Sequence, residues 1–426
     1  MTRRLRPAQI APALLLIATT AAVRPDDSKA SIELAGHLKL QFLGAAYSQE
    51  SFFGELVGSD SQDLNLDFRL NLSANSGRWD FKADWQVIGL GGDTIELTRP
   101  PRDSSPLLPG RFPNDELRLF DLTRVHSDEG RFAGLSRLDR LSIGYTGRKS
   151  VVRFGRQAIT WGNGFVYTPM DIFNPFDPTA VDKEYKVGDD MLYAQILRPR
   201  GDDLQGVVVF RRDPLTGDVA SDQGSVALKY HGIVGLGEYD LLLAEHFGDA
   251  VLGIGGNRSI GGSVWRGDVM LTRSHDEVTV SVVTSLSYSW LWGGKNTSGL
   301  LEYFYNGFGQ SGSRYSAAEL ADNPELLSRI ARGELFNLGR HYLAASATIE
   351  LTPLFLLTPN LFINTADPSA LLQIVTQNDL AQDLVLQAAL GMPIGGKGTE
   401  YGGIEVGMER YLSNQASVFV QLAWYF

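Results

Sequence analysis

The sequence predicts an all-β protein, a transmembrane antiparallel β-barrel of about eighteen strands, within a range of roughly sixteen to twenty. Three observations carry this expectation. Apolar and polar residues alternate at period two along many runs of membrane-spanning length, the last of these runs ends on aromatic residues, and residues 1–30 have the make-up of an export signal. Alternation gives a strand one apolar and one polar face, which suits a wall standing between lipid and water.

The clearest hairpin turns at Asn75-Ser76-Gly77. Before it Leu64, Leu66, Phe68, Leu70 and Leu72 alternate with Asn65, Asp67, Arg69 and Asn71; after it Trp79, Phe81, Ala83, Trp85 and Val87 alternate with Arg78, Asp80, Lys82, Asp84 and Gln86. A water-soluble sandwich also alternates, with its polar face outward, so the pattern alone leaves the two cases open. Length favours the barrel, because a tilted membrane strand needs about 9–11 residues. Val278, Val280, Val282, Thr284, Leu286, Tyr288 and Trp290 form another long face, with its aromatics at the end where an interfacial girdle belongs. The runs 343–351 and 384–392 are equally regular. Weaker segments lie near 31–47, 115–126, 135–147, 150–160, 190–198, 204–212, 223–232, 237–247, 262–273, 297–308, 354–365 and 369–378, and the glycine-rich stretch 248–261 is a further candidate.

An even count puts both termini on one side, expected to be the periplasm. Segments 91–114 and 309–338 then become long outer loops, and the turns at Asn75-Ser76-Gly77 and Thr352-Pro353 become short periplasmic ones. Loop 309–338 holds a capping-box pattern, Ser316 with Glu319, and a second helix start at Asn323-Pro324 that runs to Gly333, so short helices are expected there. Segment 161–189 breaks the scheme, because alternation leaves a long segment on the periplasmic side. Either the count is off by one nearby, or the segment folds into the lumen.

The final run alternates Val418, Val420, Leu422 and Trp424 with Ser417, Phe419, Gln421, Ala423 and Tyr425, and stops on Phe426. It resembles the C-terminal signature strand of Gram-negative outer-membrane proteins. The resemblance implies the cell outer membrane as location, outer-membrane lipid and the barrel-assembly machinery as partners, and Trp424 and Phe426 as the assembly signal. At the other end Arg3, Arg4 and Arg6 precede the apolar run 10–23, too short to span a bilayer. Residues 1–30 are therefore expected to be a signal peptide for the secretory pathway, cleaved between Ala22 and Ala30, with 31–426 forming the barrel.

Composition fits. Hydrophobic residues make up 43% of the 426, yet mean hydropathy is only −0.08, as expected when only alternate residues face lipid. There is no cysteine, so disulfides and cysteine-ligated metal or haem sites are excluded. Loss of residues 1–30 removes five basic residues (Arg3, Arg4, Arg6, Arg24, Lys29) and two acidic ones (Asp26, Asp27), moving the net charge from −11 to −14. That balance argues against nucleic acid as a partner.

Strand phase assigns Asp67, Arg69, Arg78, Asp80, Lys82, Asp84, Lys229, Arg266, Asp268 and Glu350 to the lumen, and Arg153 and Arg156 are taken with them as selectivity candidates, a mixed set rather than a continuous basic track. Charges facing each other across a pore tune its selectivity, and the same residues also suit cross-strand ion pairs that stabilise a wall. Segment 161–190, rich in proline and aromatics, is expected to be ordered. It forms a candidate constriction with Trp161, Asp171, Phe173, Phe176, Asp177, Asp182, Glu184, Asp189 and Asp190; a packed loop is the alternative. With Arg153, Arg156 and Gln157 before it, this stretch resembles the Gly-Arg-Gln…Trp-Gly stretch of large porin-like and alginate-export-type barrels. Its acidic residues match no calcium-loop spacing and are expected to be solvated.

No cofactor, metal site or catalytic constellation is expected. The six histidines are scattered, and neither a Gly-x-Ser-x-Gly elbow nor a phosphate loop is present. The expected function is a channel for small polar solutes, selective by lumen width and mixed charge. The alternatives are export of an acidic polysaccharide, as the resemblance implies, and a non-conducting scaffold for a periplasmic complex.

Overall fold

The computed structural model describes residues 30–98, 107, 112–275 and 277–426. The expected signal peptide lies outside them except for Ala30. The wall begins with β1 (Ser31–Ala46), β2 (Asp60–Ser76), β3 (Trp79–Gly92), β4 (Thr123–Glu129), β5 (Phe132–Thr146), β6 (Ser150–Gln157) and β7 (Asp189–Leu197). It continues with β8 (Asp203–Val209), β9 (Ser225–Val234), β10 (Gly237–His246), β11 (Asp249–Ile260), β12 (Ser263–Ser274), β13 (Glu277–Trp292) and β14 (Lys295–Tyr305). Next come β15 (His341–Thr352), β16 (Phe355–Asn364), β17 (Ser369–Ala381) and β18 (Leu384–Ile394). A small separate ribbon, β19 (Ile404–Gly407) with β20 (Arg410–Leu412), precedes the last wall strand, β21 (Ala416–Tyr425).

All pairings in the wall are antiparallel. β21 pairs with β18 on one side and with β1 on the other, from His37↔Tyr425 to Ala46↔Ala416, so the ring closes at eighteen strands. Closure joins the first strand to the last, as a sheet in hydrocarbon requires, and among the described wall strands only β4 has a single partner, β5. The seam is held by reciprocal backbone bonds between Gly36 and Phe426, of 2.9 and 3.1 Å. The Phe426 ring stacks on Phe68 and lies against Trp424. Gly36 must be small here, since a Cβ would sit 2.7 Å from the Phe426 ring.

The apolar face points outward. Ile32 and Leu34 are 72% and 65% exposed, while His37 and Lys39 on the other face of β1 are 0% and 1% exposed. A water-soluble sandwich would reverse that, so the alternation reports a lipid-facing skin.

Two local departures from the expected strands cancel in the total. Segment 115–126 is not a full crossing: only β4 forms, and it pairs with the first half of β5, Glu129↔Phe132 to Thr123↔Arg137. β6 takes the second half of the same edge, from Leu141↔Arg156 to Thr146↔Val151, so β4 and β6 lie end to end. In 248–261, by contrast, β11 is a complete strand between β10 and β12. Its glycines fit because Gly253 and Gly255 back onto Met270 and Asp268, where a Cβ would lie within 2.6 Å of side-chain atoms.

Both described termini lie at one end of the barrel, the terminal end, where the turns are short. Gly77, for example, turns β2 into β3 at a φ of +59°. The opposite, loop end carries the described residues 93–98 and 112–122, together with 306–340 and 395–415. Helix α1 (Phe52–Val57) lies between β1 and β2 there. In 306–340, α2 (Ala317–Ala321) is opened by the Ser316–Glu319 capping box, and α3 (Pro324–Ala331) by Asn323 with proline in its first turn. Because β4 is only a half-strand, the segment between β6 and β7 leaves the wall on the loop-end side, not the terminal-end side that alternation implies.

Candidate functional site

β6 stops at Gln157 and β7 resumes at Asp189, level with each other. The hairpin that would carry the wall onward is replaced by residues 158–188, which enter the lumen in two lobes.

The first lobe, about 158–174, reaches across to the wall from β8 to β15. Trp161 donates its indole N–H to Gln205 of β8 at 2.8 Å. Asn163 donates its backbone N–H to Asp268 of β12 at 2.7 Å, and its amide to Asp268 and to Asp240 of β10. Glu302 of β14 then accepts three consecutive backbone N–H groups, from Phe165 (2.8 Å), Val166 (3.0 Å) and Tyr167 (2.6 Å). Gly164 permits this turn, because a Cβ there would lie 1.9 Å from the Tyr167 carbonyl oxygen. Tyr167 stacks on Phe304 with centroids 4.9 Å apart. Trp161, Met170 and Phe173 pack against Met191, Leu242 and Met270 of the wall in a dry core.

The second lobe, about 175–188, reaches the opposite wall. Thr179 accepts from Gln373 of β17 through its carbonyl. Lys39 of β1 lies between Asp182 (2.6 Å) and Glu184 (2.7 Å), and Tyr425 of β21 donates to the same Glu184 at 2.9 Å. Tyr185 covers the Arg69 guanidinium at 4.0 Å and accepts from Asn71 of β2. The lobes are tied together by Lys186, whose Nζ donates to Asp171 and to the Ile159 carbonyl at 2.6 Å, and Asn174 fastens the end of the first lobe to Asp189 of β7. Asp171, Asp182 and Glu184 are thus held by lysines rather than left to solvent alone, while Asp177 carries only its bonds to Thr179.

The adjoining wall is densely ion-paired. Asp84 opposes Arg140 and Trp85 opposes Leu138, so Asp139 is an extra residue in β5. This bulge turns both Asp139 and Arg140 inward. Asp139 there accepts from Arg69 (2.8 Å), Arg137 (2.6 Å) and Arg140 (2.7 Å). Above it, fully buried Arg156 makes a bidentate pair with fully buried Asp190, at 2.9 and 3.0 Å, and a 2.8 Å bond to Asp115. Asp190 also accepts the Phe120 backbone N–H, which ties the segment before β4 to the start of β7. Breaking such a buried pair on one side costs about 3–5 kcal/mol.

At the loop end a cavity of about 160 Å³ lies beneath Arg118, Arg211 and Arg332, with Asp189 and Glu334 among its lining. Phe247 lies between the guanidinium groups of Arg211 (4.3 Å) and Arg332 (4.2 Å). Burial alone would raise Glu334, but His246, Arg332 and Arg329 outweigh it and hold its carboxyl down at about 2. Glu400 behaves oppositely. It is buried where it accepts from the Leu338 N–H, Tyr342 and Asn364, and burial, with Asp367 nearby, pushes it up to about 7.

Of the residues phased into the lumen, Asp67 accepts from Gln86 and Asp80 pairs with Arg153 at 3.2 Å. Arg69 and Asp84 join the bulge cluster, and Lys229 pairs with Asp240 at 3.1 Å. Arg266 covers Phe165, Asp268 holds Asn163, and Glu350 accepts from Asn296. Lys82 is exposed on the lumen face. Arg78 is not in the lumen: it stands in the terminal-end turn and donates to Tyr145. Asp177 caps Thr179, and Phe176 is half-buried. Asp189 and Asp190 open β7 rather than belonging to the loop. Sequence reasoning missed His37, Lys39, Arg137, Asp139, Arg140, Asp115 and Glu302. Two signals were there to be read: a lone carboxylate in the apolar run Leu300-Leu301-Glu302-Tyr303-Phe304, and the broken alternation Arg137-Leu138-Asp139-Arg140.

A closed antiparallel ring with an apolar skin and a polar, ion-paired lumen defines a membrane-spanning β-barrel of porin fold. No protein-family model matches the chain, and no curated protein matches its sequence. Among solved structures, it is similar to a BenF-like porin from Pseudomonas fluorescens Pf-5, with 9% identity over 93% of this chain and 98% of that one and a TM-score of 0.51, a likeness of fold. A mutant of Rh. blastica porin (8% identity, 93% and 100% covered, TM-score 0.45) and an anion-selective porin from Comamonas acidovorans (12%, 93% and 100%, 0.42) also match.

Proposed function

We propose that the protein is an outer-membrane channel for small polar solutes, with its terminal end toward the periplasm and residues 158–188 setting the width and charge of the path. The observation that carries this reading is the crossing segment itself. It is fixed to the wall through Glu302, Asp268, Lys39 and Tyr425, inside a lumen whose charged groups are of both signs. A solute meets Lys82, Asp84, Asp67 and Arg266 beside the segment, so selection rests on fit and on a transverse field rather than on one sign of charge. Cations in this lumen alternate with carboxylates, which gives no continuous track for an acidic polymer.

The test is conductance of the purified protein in a planar bilayer. Discrete steps are expected, and deletion of 165–185 should enlarge them. Unchanged steps after the deletion would remove the segment from the path. A second reading, a non-conducting scaffold, is favoured by the burial of Trp161, Tyr167, Met170 and Phe173 in mid-lumen. Silence at all voltages, from protein shown to be folded, would select it.

A further inference from the structure

We propose that three consecutive terminal-end turns form a binding surface for anionic phospholipid headgroups. The turns follow β2, β5 and β7. They carry Arg78, then Arg148 and Lys149, then Arg198 and Arg200, all exposed. β3 pairs with β5, and β6 with β7, so the turns are neighbours on the rim. Adjacent turns are two strands apart, which places each group about 10 Å from the next and the outer two about 20 Å apart. Five cations thus stand in one arc of a chain whose formal net charge is −11.

Bordering carboxylates reduce this charge without cancelling it. Asp80 is engaged by Arg153 and Glu33 sits on the lumen face of β1 opposite Ser73, while Asp202 and Asp203, which accept only from neutral Tyr230 and Gln205, stand beside Arg198 and Arg200 and leave the arc with a cationic excess. The other terminal-end turns, Gly235-Leu236, Gly261-Gly262, Gly293-Gly294, Pro353-Leu354 and Gln382-Asp383, carry no cation between their strands, and the nearest cations, Arg258 and Lys295, stand singly on flanking strands. Clustered basic charge is therefore a property of one sector of the rim.

Depth identifies the occupant. Each turn begins within a few residues of a lipid-facing apolar side chain: Trp79, Ile143 and Ile196 are all at least half exposed on the outer skin. Trp79 packs edge-on against Tyr145, whose hydroxyl accepts from Arg78 at 3.1 Å. An aromatic pair of this kind marks the boundary of the hydrocarbon, and cations just beyond it lie level with headgroup phosphates. A soluble partner would need charges carried further into water than these short turns reach.

The test compares lipids retained by the full-length purified barrel, by native mass spectrometry, after incubation with phosphatidylglycerol, phosphatidylcholine or lipid A. Wild type should retain phosphatidylglycerol over phosphatidylcholine by about tenfold, and lose that preference in high salt. Combining Arg78→Gln, Arg148→Gln, Lys149→Gln, Arg198→Gln and Arg200→Gln should abolish the preference, while Lys295→Gln should leave it. The salt titration of wild type reads the same surface with no substitution, so it decides the matter even where the combined variant fails to fold. No preference in wild type, a preference insensitive to salt, a preference for lipid A over phosphatidylglycerol, or a preference that survives in the folded variant would each overturn the proposal.

Discussion

Replacing Glu302 by alanine removes the acceptor for three backbone N–H groups at once. Phe165, Val166 and Tyr167 donate to this carboxylate at 2.8, 3.0 and 2.6 Å, and Glu302 is 0% exposed. A buried N–H left without an acceptor costs about 1–3 kcal/mol, so three cost roughly 3–9 kcal/mol unless the turn moves to water. Even the lower figure shifts the ratio of docked to released turn by about two orders of magnitude. Glu302→Ala should therefore release residues 164–168 locally, while Trp161, Met170 and Phe173 keep the rest of the lobe in its dry core. Glu302→Gln is the graded control. One glutamine oxygen still serves Val166 and Tyr167, but its amide would face the Phe165 N–H, so one bond of three is lost. Single-channel recording reads the result as larger conductance and added open-channel noise, in the order Ala above Gln above wild type. Equal noise and conductance in all three, with the barrel folded, would refute the idea that this carboxylate holds the segment across the path.

Other expectations follow from the same geometry. Lys39→Met should free the second lobe from β1, and its effect on channel noise should be non-additive with that of Asp182→Asn plus Glu184→Gln, because all three groups share one contact. Glu400 has a folded value raised to about 7 from 4.5. Its neutral form is favoured by folding, so the loop-end packing around Tyr342 and Asn364 is firmest below about pH 4.5 and weakens as pH rises to 7. Hydrogen exchange at Leu338, corrected for intrinsic rates, should show this in wild type and be flat in Glu400→Gln. Deleting Phe426 removes two seam hydrogen bonds and the stack on Phe68, and should lower the yield of the heat-modifiable folded form; an unaltered yield would deny the seam that role.

The barrel was legible because its two solvents impose a strict period. Runs such as 64–72, 79–87 and 278–290 need no partner information, since each residue's face is set by its own neighbours in sequence. The helices at Ser316 and Asn323 are likewise written in their own caps. What sequence did not disclose depends on contacts between distant residues. The half-strand β4 has the same local pattern as a full crossing and is shortened only because β6 occupies the remaining edge of β5. The glycines of 249–260 obscured a strand whose lack of side chains is compensated by Met270 and Asp268 from β12. For the site, proline and aromatic content marked 161–190 as ordered. Its wall partners, Lys39, Glu302 and Tyr425, lie more than 100 residues away in sequence, and their pairing emerges only once the ring has formed.

Glu184 is shared by Lys39 and Tyr425, one on each side of the seam between the first and last strands. That cradle does not exist in an open sheet, where β1 and β21 are apart. The final step of assembly therefore does two things at once: it shuts the wall and supplies the missing half of the cradle. A barrel closed one strand out of register would present Lys39 and Tyr425 at the wrong spacing and leave Glu184 half-held. The crossing segment thereby acts as a gauge of correct closure, rewarding the proper seam with contacts that no misregistered one provides.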